Sequence, residues 1–264
     1  VNDFSFVEGA ILSFLPNVVL HAAGSYKDSE DWNTDVSTNI NGTINVVRVL
    51  QKLDDVKLIY LQTSLCYGLE SNGLPTTTSQ PYFDGNYKGG SSYAITKTCG
   101  ELFIDLSGVN FVSLRLANVY GPKNFSGPIP TFFNRISNKK LSFIYDTRRD
   151  FIFVEDVVEC IFSVASSQSK NEKYYNVSSG IDYSIEEIFN LMTTLMGDDS
   201  ALRSELRQRG ADDTDNILID AKTTQIDFNW KAKTPLIDGL RRTIDYYKEN
   251  SNDKIYSHLN LNET

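Results

Sequence analysis

Histidine is nearly absent: His21 and His258 are the only two in 264 residues. A metal centre built on imidazole is not expected, and no metal is assigned. Cysteine is equally scarce. Cys66, Cys99 and Cys160 show no paired spacing, which excludes a disulfide framework and a zinc pattern and leaves three small buried hydrophobes. Long apolar runs are missing too. The longest, residues 17–24, suits a buried strand and falls far short of the ~20 residues that cross a bilayer. Positive charge is in deficit, with 25 Lys and Arg against 34 Asp and Glu and a net charge of -9. That balance argues against nucleic acid or an anionic membrane as a partner. It still permits an anionic small molecule, which needs only a few arginines and backbone N–H groups converging at one place. The chain opens on Val1, and residues 1–14 lack the basic-then-apolar order of a signal peptide. A fragment of a cytoplasmic protein is the expectation.

What is present is ordinary for a globular chain, 41% apolar and 22% charged. Residues 18–24 read as a buried strand running into a small-residue turn. After Asp35, apolar residues recur at Val36, Ile40, Ile44, Val47, Leu50 and Leu53, steps of three and four that predict an amphipathic helix. Lys57–Thr63 reads as a strand, Ser92–Ser107 as a helix stopped by Gly108, and Phe111–Leu116 as a strand again. This alternation predicts an α/β chain with a doubly wound, mostly parallel sheet. Residues 122–149 hold three of the seven prolines and no clear period, suggesting an inserted lobe. Residues 151–154 read as a short strand entering a helix whose Glu155 and Asp156 suit its N-terminal dipole. A further short strand is expected over 174–178. Ser184 and Glu187 form a capping box for a helix closing at Gly197. Residues 198–216 look like an exposed helix or loop, and 235–250 like a terminal amphipathic helix.

The sharpest chemical signal is Tyr93-Ala94-Ile95-Thr96-Lys97 at the start of a helix. Four residues apart, Tyr93 and Lys97 share one face. An ammonium beside a phenol stabilises the phenolate, lowering its pKa from about 10 and making a general base for a substrate hydroxyl. The bland alternative is a solvated surface pair. Upstream, Thr63 closes the strand Lys57–Thr63, and doubly wound sheets place their chemistry at such strand ends. Arg148 and Arg149, adjacent cations in an acidic chain, suit bidentate binding of a diphosphate, with a surface salt bridge as the alternative.

Together, Thr63, Tyr93 and Lys97 resemble the Ser/Thr-Tyr-Lys triad of extended short-chain dehydrogenases of the NAD-dependent nucleotide-sugar epimerase/dehydratase type. Other motifs follow in the family's order. His21-Ala22-Ala23-Gly24 resembles the turn beneath the cofactor riboses, and Asn39-Ile40-Asn41-Gly42-Thr43 the Asn-x-x-Gly-Thr helix signature. Residues 114–122 resemble the strand and loop whose Asn, here Asn118, contacts the sugar nucleotide. Residues 147–156 resemble the stretch whose Arg, here Arg149, holds the diphosphate. Residues 175–180 and 228–231 also fit. The resemblance implies a Rossmann-like sheet lacking its first strands, with a smaller mixed C-terminal substrate lobe. Its expected division is an NAD-binding domain over 1–121, with 151–178 returning to it, and a lobe over 122–150 and 179–264. It implies NAD bound by Ala22, Ala23, Gly24, Thr63, Tyr93 and Lys97, and a nucleotide-diphosphate sugar bound by Ser64, Asn118 and Arg149. It further implies a homodimer through the helices containing 39–53 and 93–106, with Val46 and Phe103 on the flanks. Asn39 reads as a polar tie within the site rather than a substrate contact, and Arg115 as structural.

One element of the pattern is missing. A dinucleotide site needs a Gly-x-Gly-x-x-Gly turn for its pyrophosphate, and none occurs; the nearest stretch, residues 85–90, follows no strand. At about 30 residues per strand-helix unit, ~60 residues are expected upstream of Val1. The family's dehydratases resemble one another in an Asp-Glu pair after the active-site Thr. Ser64 and Leu65 stand there instead, which disfavours dehydration. C4 epimerisation through a keto-sugar is the expectation. A nucleotide-keto-sugar reductase or dehydratase is the alternative, and a non-catalytic binding protein on a degenerate fold is the alternative of another class.

Overall fold

Strand β2 (Lys57–Thr63) organises the sheet through the alternation of its side chains. Leu58 and Tyr60 point to one face and Ile59 and Leu61 to the other. On the first face they meet Val7 of α1 (Phe4–Phe14), Val46, Val47 and Leu50 of α3 (Gly42–Leu50), and Ile104 of α4 (Ser92–Ser107). On the second they meet Val157, Cys160 and Val164 of α6 (Val154–Ser166) and Phe228 of α8 (Lys222–Phe228). Burying each aliphatic side chain contributes about 1.5–3 kcal/mol, so covering both faces stabilises the arrangement. The sheet is doubly wound. In this computed structural model the described residues are 1–26, 28, 30–68, 75–85, 91–167, 172–197, 204–207 and 216–250.

Its four strands are wholly parallel, in the order β1 (Val18–His21), β2, β3 (Phe111–Leu116) and β7 (Tyr174–Val177). A smaller mixed sheet joins β4 (Asn118–Tyr120), β6 (Arg148–Phe153) and β10 (Asn216–Ile217), with β8 (Asp182–Ser184) antiparallel to β6. A second core lies beside it. Phe132, Phe133 and Ile136 of α5 (Pro128–Ser137) pack there on Ile188 and Phe189 of α7 (Ile185–Met196) and Leu240 and Ile244 of α9 (Leu236–Glu249). Asp156 ties the chain's end to α6: its side chain accepts the amides of Lys233 and Thr234, and its carbonyl accepts the Trp230 indole N–H.

Several boundaries differ from the sequence reading. The helix expected after Asp35 begins earlier, as α2 (Trp32–Asp35), because Asp31 accepts the Thr34 amide and caps it. It then widens into a π-helical turn, Val36–Asn41, before continuing as α3. Residues 122–149 are more regular than expected, containing α5, opened by Pro128, and β5 (Ser142–Tyr145). Strand β6 starts at Arg148 rather than 151, since Arg148 and Arg149 pair with both β8 and β10. Part of the expected loop or helix over 198–216 is a strand, β9 (Ser204–Arg207), pairing with the distant β5. Most of residues 85–90 lie outside the described residues. The capping box of α7 and the left-handed caps at Gly108 and Gly197 form as expected. Among the described residues no helix is long and apolar enough to cross a membrane.

Candidate functional site

Strand pairing assembles the site. Thr63, the last residue of β2, sits in register with Leu116 of β3. The chain passes through Ala117 into β4, whose first residue, Asn118, pairs with Phe151 of β6. Arg149 stands two residues before Phe151 on β6. Register thus puts Thr63 at the C-terminal end of β2, Asn118 just past the end of β3, and Arg149 near the start of β6. Asn118 donates to the carbonyl of Asp150 at 3.2 Å, and Arg149 to that of Arg148 at 2.8 Å. Arg148 turns away, bridging Asp182 at 2.8 Å and Glu187 at 3.3 Å on the surface. The two arginines therefore do not act as a pair. Alternation along the strand puts only Arg149 inward, where it is buried.

Thr63 also caps the 3-10 turn Ser64–Tyr67, its hydroxyl accepting the Leu65 amide at 3.2 Å. Ser64 is buried and lines a small cavity of mixed polarity with Tyr67, Thr76, Gln80, Asn216 and Ile219. Below it, Arg115 is structural, as expected. It pairs with Glu101 of α4 at 3.0 Å and donates to the Tyr67 and Tyr82 hydroxyls at 3.2 and 3.1 Å. The turn after Thr63 and the helix carrying Tyr93 and Lys97 are thus braced on one guanidinium.

Beyond β1, Ala22 and Gly24 are exposed. Asn39 locks the turn that follows, accepting the Ser25 amide at 2.8 Å and donating to the Ser25 carbonyl at 2.9 Å and the Thr96 hydroxyl at 3.0 Å. It is the polar tie expected. His21 is buried, with Nε2 2.9 Å from the Thr43 hydroxyl. Burial holds its pKa down at about 3, and the charges of Lys97 and the N-terminus push the same way.

Tyr93, near the start of α4, is half-buried, with the Tyr26 ring 5.7 Å away. The expected lowering of its pKa by Lys97 is not found. Burial raises the phenol above its usual range, and Tyr26 and Asp35 push in the same direction. Lys97 faces elsewhere: its ammonium lies over the Tyr60 ring, 3.9 Å from the centroid. Burial lowers the lysine to about 7, against the pull of Glu101. No hydrogen bond joins Thr63, Tyr93 and Lys97 to one another among the described residues.

Tyr60 and Asp35 were not singled out from sequence. Tyr60 reads as any inward aromatic of a strand. Asp35 falls on the apolar side of its helix, and both its carboxylate oxygens are buried without a hydrogen-bond partner. Burial also raises the three thiols, Cys160 to about 12, as suits inert packing.

The model of the NAD dependent epimerase/dehydratase family matches residues 1–178. The chain belongs to that family. The solved structure of the WbmG enzyme of Bordetella bronchiseptica, in complex with NAD and UDP, is similar to it with a TM-score of 0.87 and 36% identity, covering 98% of this chain and 81% of that one. The UDP-glucuronate 4-epimerase of Thermodesulfobacterium geofontis is 26% identical over 265 residues, 95% of this chain and 78% of its own length. The bovine dTDP-D-glucose 4,6-dehydratase is 26% identical over 227 residues, 80% of this chain. The chain spans 61% of the bovine protein's length.

Proposed function

We propose that the chain works as an NAD-dependent nucleotide-sugar epimerase, inverting C4 through a keto-sugar. The observation that carries this reading is the packing of the turn after Thr63 on the helix bearing Tyr93 and Lys97, at the C-terminal end of a parallel strand. The likeness to WbmG, solved with NAD and UDP, supports it. So does the UDP-glucuronate 4-epimerase relative.

The residues at the end of β1 fit half of an NAD molecule. Ala22, Ala23 and Gly24 carry at most a methyl group, so a ribose can approach the backbone, and Lys97 would hold its hydroxyls. NAD, when bound, supplies the acceptor and donor for the C4 hydrogen. Tyr93 takes the proton of the C4 hydroxyl as general base and returns it at the end. Thr63 hydrogen-bonds the reacting oxygen and holds it in place. Arg149 and Asn118 grip the nucleotide end, with Ser64 beside them, leaving the sugar free to present its other face. In this scheme residues 1–121 and 151–178 serve NAD, and residues 122–150 and 179–264 serve the sugar nucleotide.

A homodimer is part of the same reading. Helix α4 leaves Ile95, Leu102, Phe103 and Leu106 exposed along one side, an apolar stripe suited to a second copy. Val46, expected on that flank, is instead buried against the sheet.

The test is incubation with NAD and a panel of UDP-, dTDP-, GDP- and CDP-sugars, following the C4 epimer by chromatography. Tyr93→Phe should abolish turnover and leave sugar-nucleotide binding largely intact. Unchanged turnover in that variant removes the proposed base. Net consumption of NADH with a keto-sugar would favour the reductase reading.

A further inference from the structure

We infer that Tyr60 is the positioning residue of Lys97, seating the lysine's ammonium on its ring and holding the lysine's backbone by its hydroxyl. The inference rests on Lys97 belonging to the reaction proposed above. Tyr60 is fully buried on β2, on the face covered by α4. Its hydroxyl donates to the Lys97 carbonyl at 2.9 Å, and Gln62 of the same strand donates to that carbonyl at 3.2 Å. The ring face lies under the ammonium of the same residue, 3.9 Å from centroid to Nζ. One side chain thus grips both ends of Lys97.

Gly100 makes this approach possible. A Cβ there would lie 2.8 Å from the Tyr60 hydroxyl oxygen and 2.7 Å from the Asn39 carbonyl oxygen. Without that side chain, α4 settles onto the strand, and Lys97, one turn earlier, comes within reach of the ring. A lysine stem is long and rotamer-rich, so a catalytic ammonium needs something to fix it. An aromatic face does so in a buried place without adding a formal negative charge of its own. The ionisable groups facing this point include Glu101 on α4, which favours the charged lysine, His21 on β1, 5.5 Å from the Tyr60 ring and held neutral by burial, and Tyr93 and Cys66, which act on the Tyr60 hydroxyl.

The experiment is NMR of the ligand-free chain labelled with 13C-lysine, with Lys97 assigned by the signal missing in Lys97→Arg. The ε-methylene protons of Lys97 should lie upfield of those of the other lysines. The displacement should persist in Tyr60→Phe, which keeps the ring, and vanish in Tyr60→Leu. Turnover should follow, with kcat down on the order of ten-fold in Tyr60→Leu, KM changed by less than about two-fold, and Tyr60→Phe falling between the two, since it keeps the ring and loses the hydroxyl's hold on the Lys97 carbonyl. An undisplaced Lys97 signal overturns the seat even if Tyr60→Leu does not fold. A displacement lost with kcat unchanged overturns the positioning role. The spectrum decides the seat whether or not the unsubstituted chain turns over, and its turnover bears on the epimerase reading separately.

Discussion

The side-chain amide of Asn39 donates to the Thr96 hydroxyl at 3.0 Å, joining the helix that follows β1 to the helix that carries Tyr93 and Lys97. The same amide holds Ser25 from both sides. Asn39→Ala leaves the Ser25 amide and carbonyl without these partners inside the protein. About 2–4 kcal/mol of stability should be lost, read from the denaturant midpoint at constant slope. A change under about 0.5 kcal/mol would contradict the tie.

Gly100→Ala tests the fit of α4 on the sheet. The added methyl meets the Asn39 carbonyl and the Tyr60 hydroxyl at 2.7 and 2.8 Å, far inside normal contact. The helix must lift, at a cost of about 1–3 kcal/mol. Turnover should fall with it, although no reacting group is altered. Full activity together with full stability would show that the helix does not need this seat.

His21 sets an acid limit. Its neutral form is the one the fold accepts, with a pKa near 3 against 6.5 in the ordinary state. As pH falls below 6.5 the unfolded chain takes a proton that the folded chain refuses until about 3. Stability therefore falls with falling pH across that window, by up to about 1.4 kcal/mol per unit. His21→Gln should flatten the profile there by one proton's slope. An identical slope in the variant would show that other groups set the acid limit.

Arg148 and Arg149 should behave as opposites. Arg148 forms exposed bridges to Asp182 and Glu187, and such pairs contribute only about 0–1 kcal/mol. Arg148→Ala should leave KM for the sugar nucleotide unchanged. On the proposed reading, in which Arg149 holds the diphosphate, Arg149→Ala should raise KM at least about ten-fold. The reverse order would move the diphosphate site to the other arginine.

Much of the central sheet was legible residue by residue. The strands Lys57–Thr63 and Phe111–Leu116 and the helix Ser92–Ser107 have the bounds read from periodicity and caps, because local pattern and tertiary burial agree there. Strand β9 was not legible: its pairing with β5 is made far along the chain, and no local alternation announces it. The π-helical turn was hidden for a related reason. Apolar spacing alone cannot report the extra residue in a turn that buries the polar Asn39. Motif order brought out Thr63, Tyr93, Lys97, Asn118 and Arg149, but not the direction of the Lys97 side chain. That direction depends on Tyr60 beneath the helix and on Gly100 giving it room, two facts of packing rather than of pattern.

The most direct test of the epimerase account is turnover in D2O with NAD and the accepted sugar nucleotide, read by NMR at C4. Hydrogen carried within the site returns to the same carbon, so the account predicts inverted product with protium at C4. Deuterium at C4 would contradict it, since inversion would then proceed by exchange of a C–H proton with solvent rather than by oxidation and return.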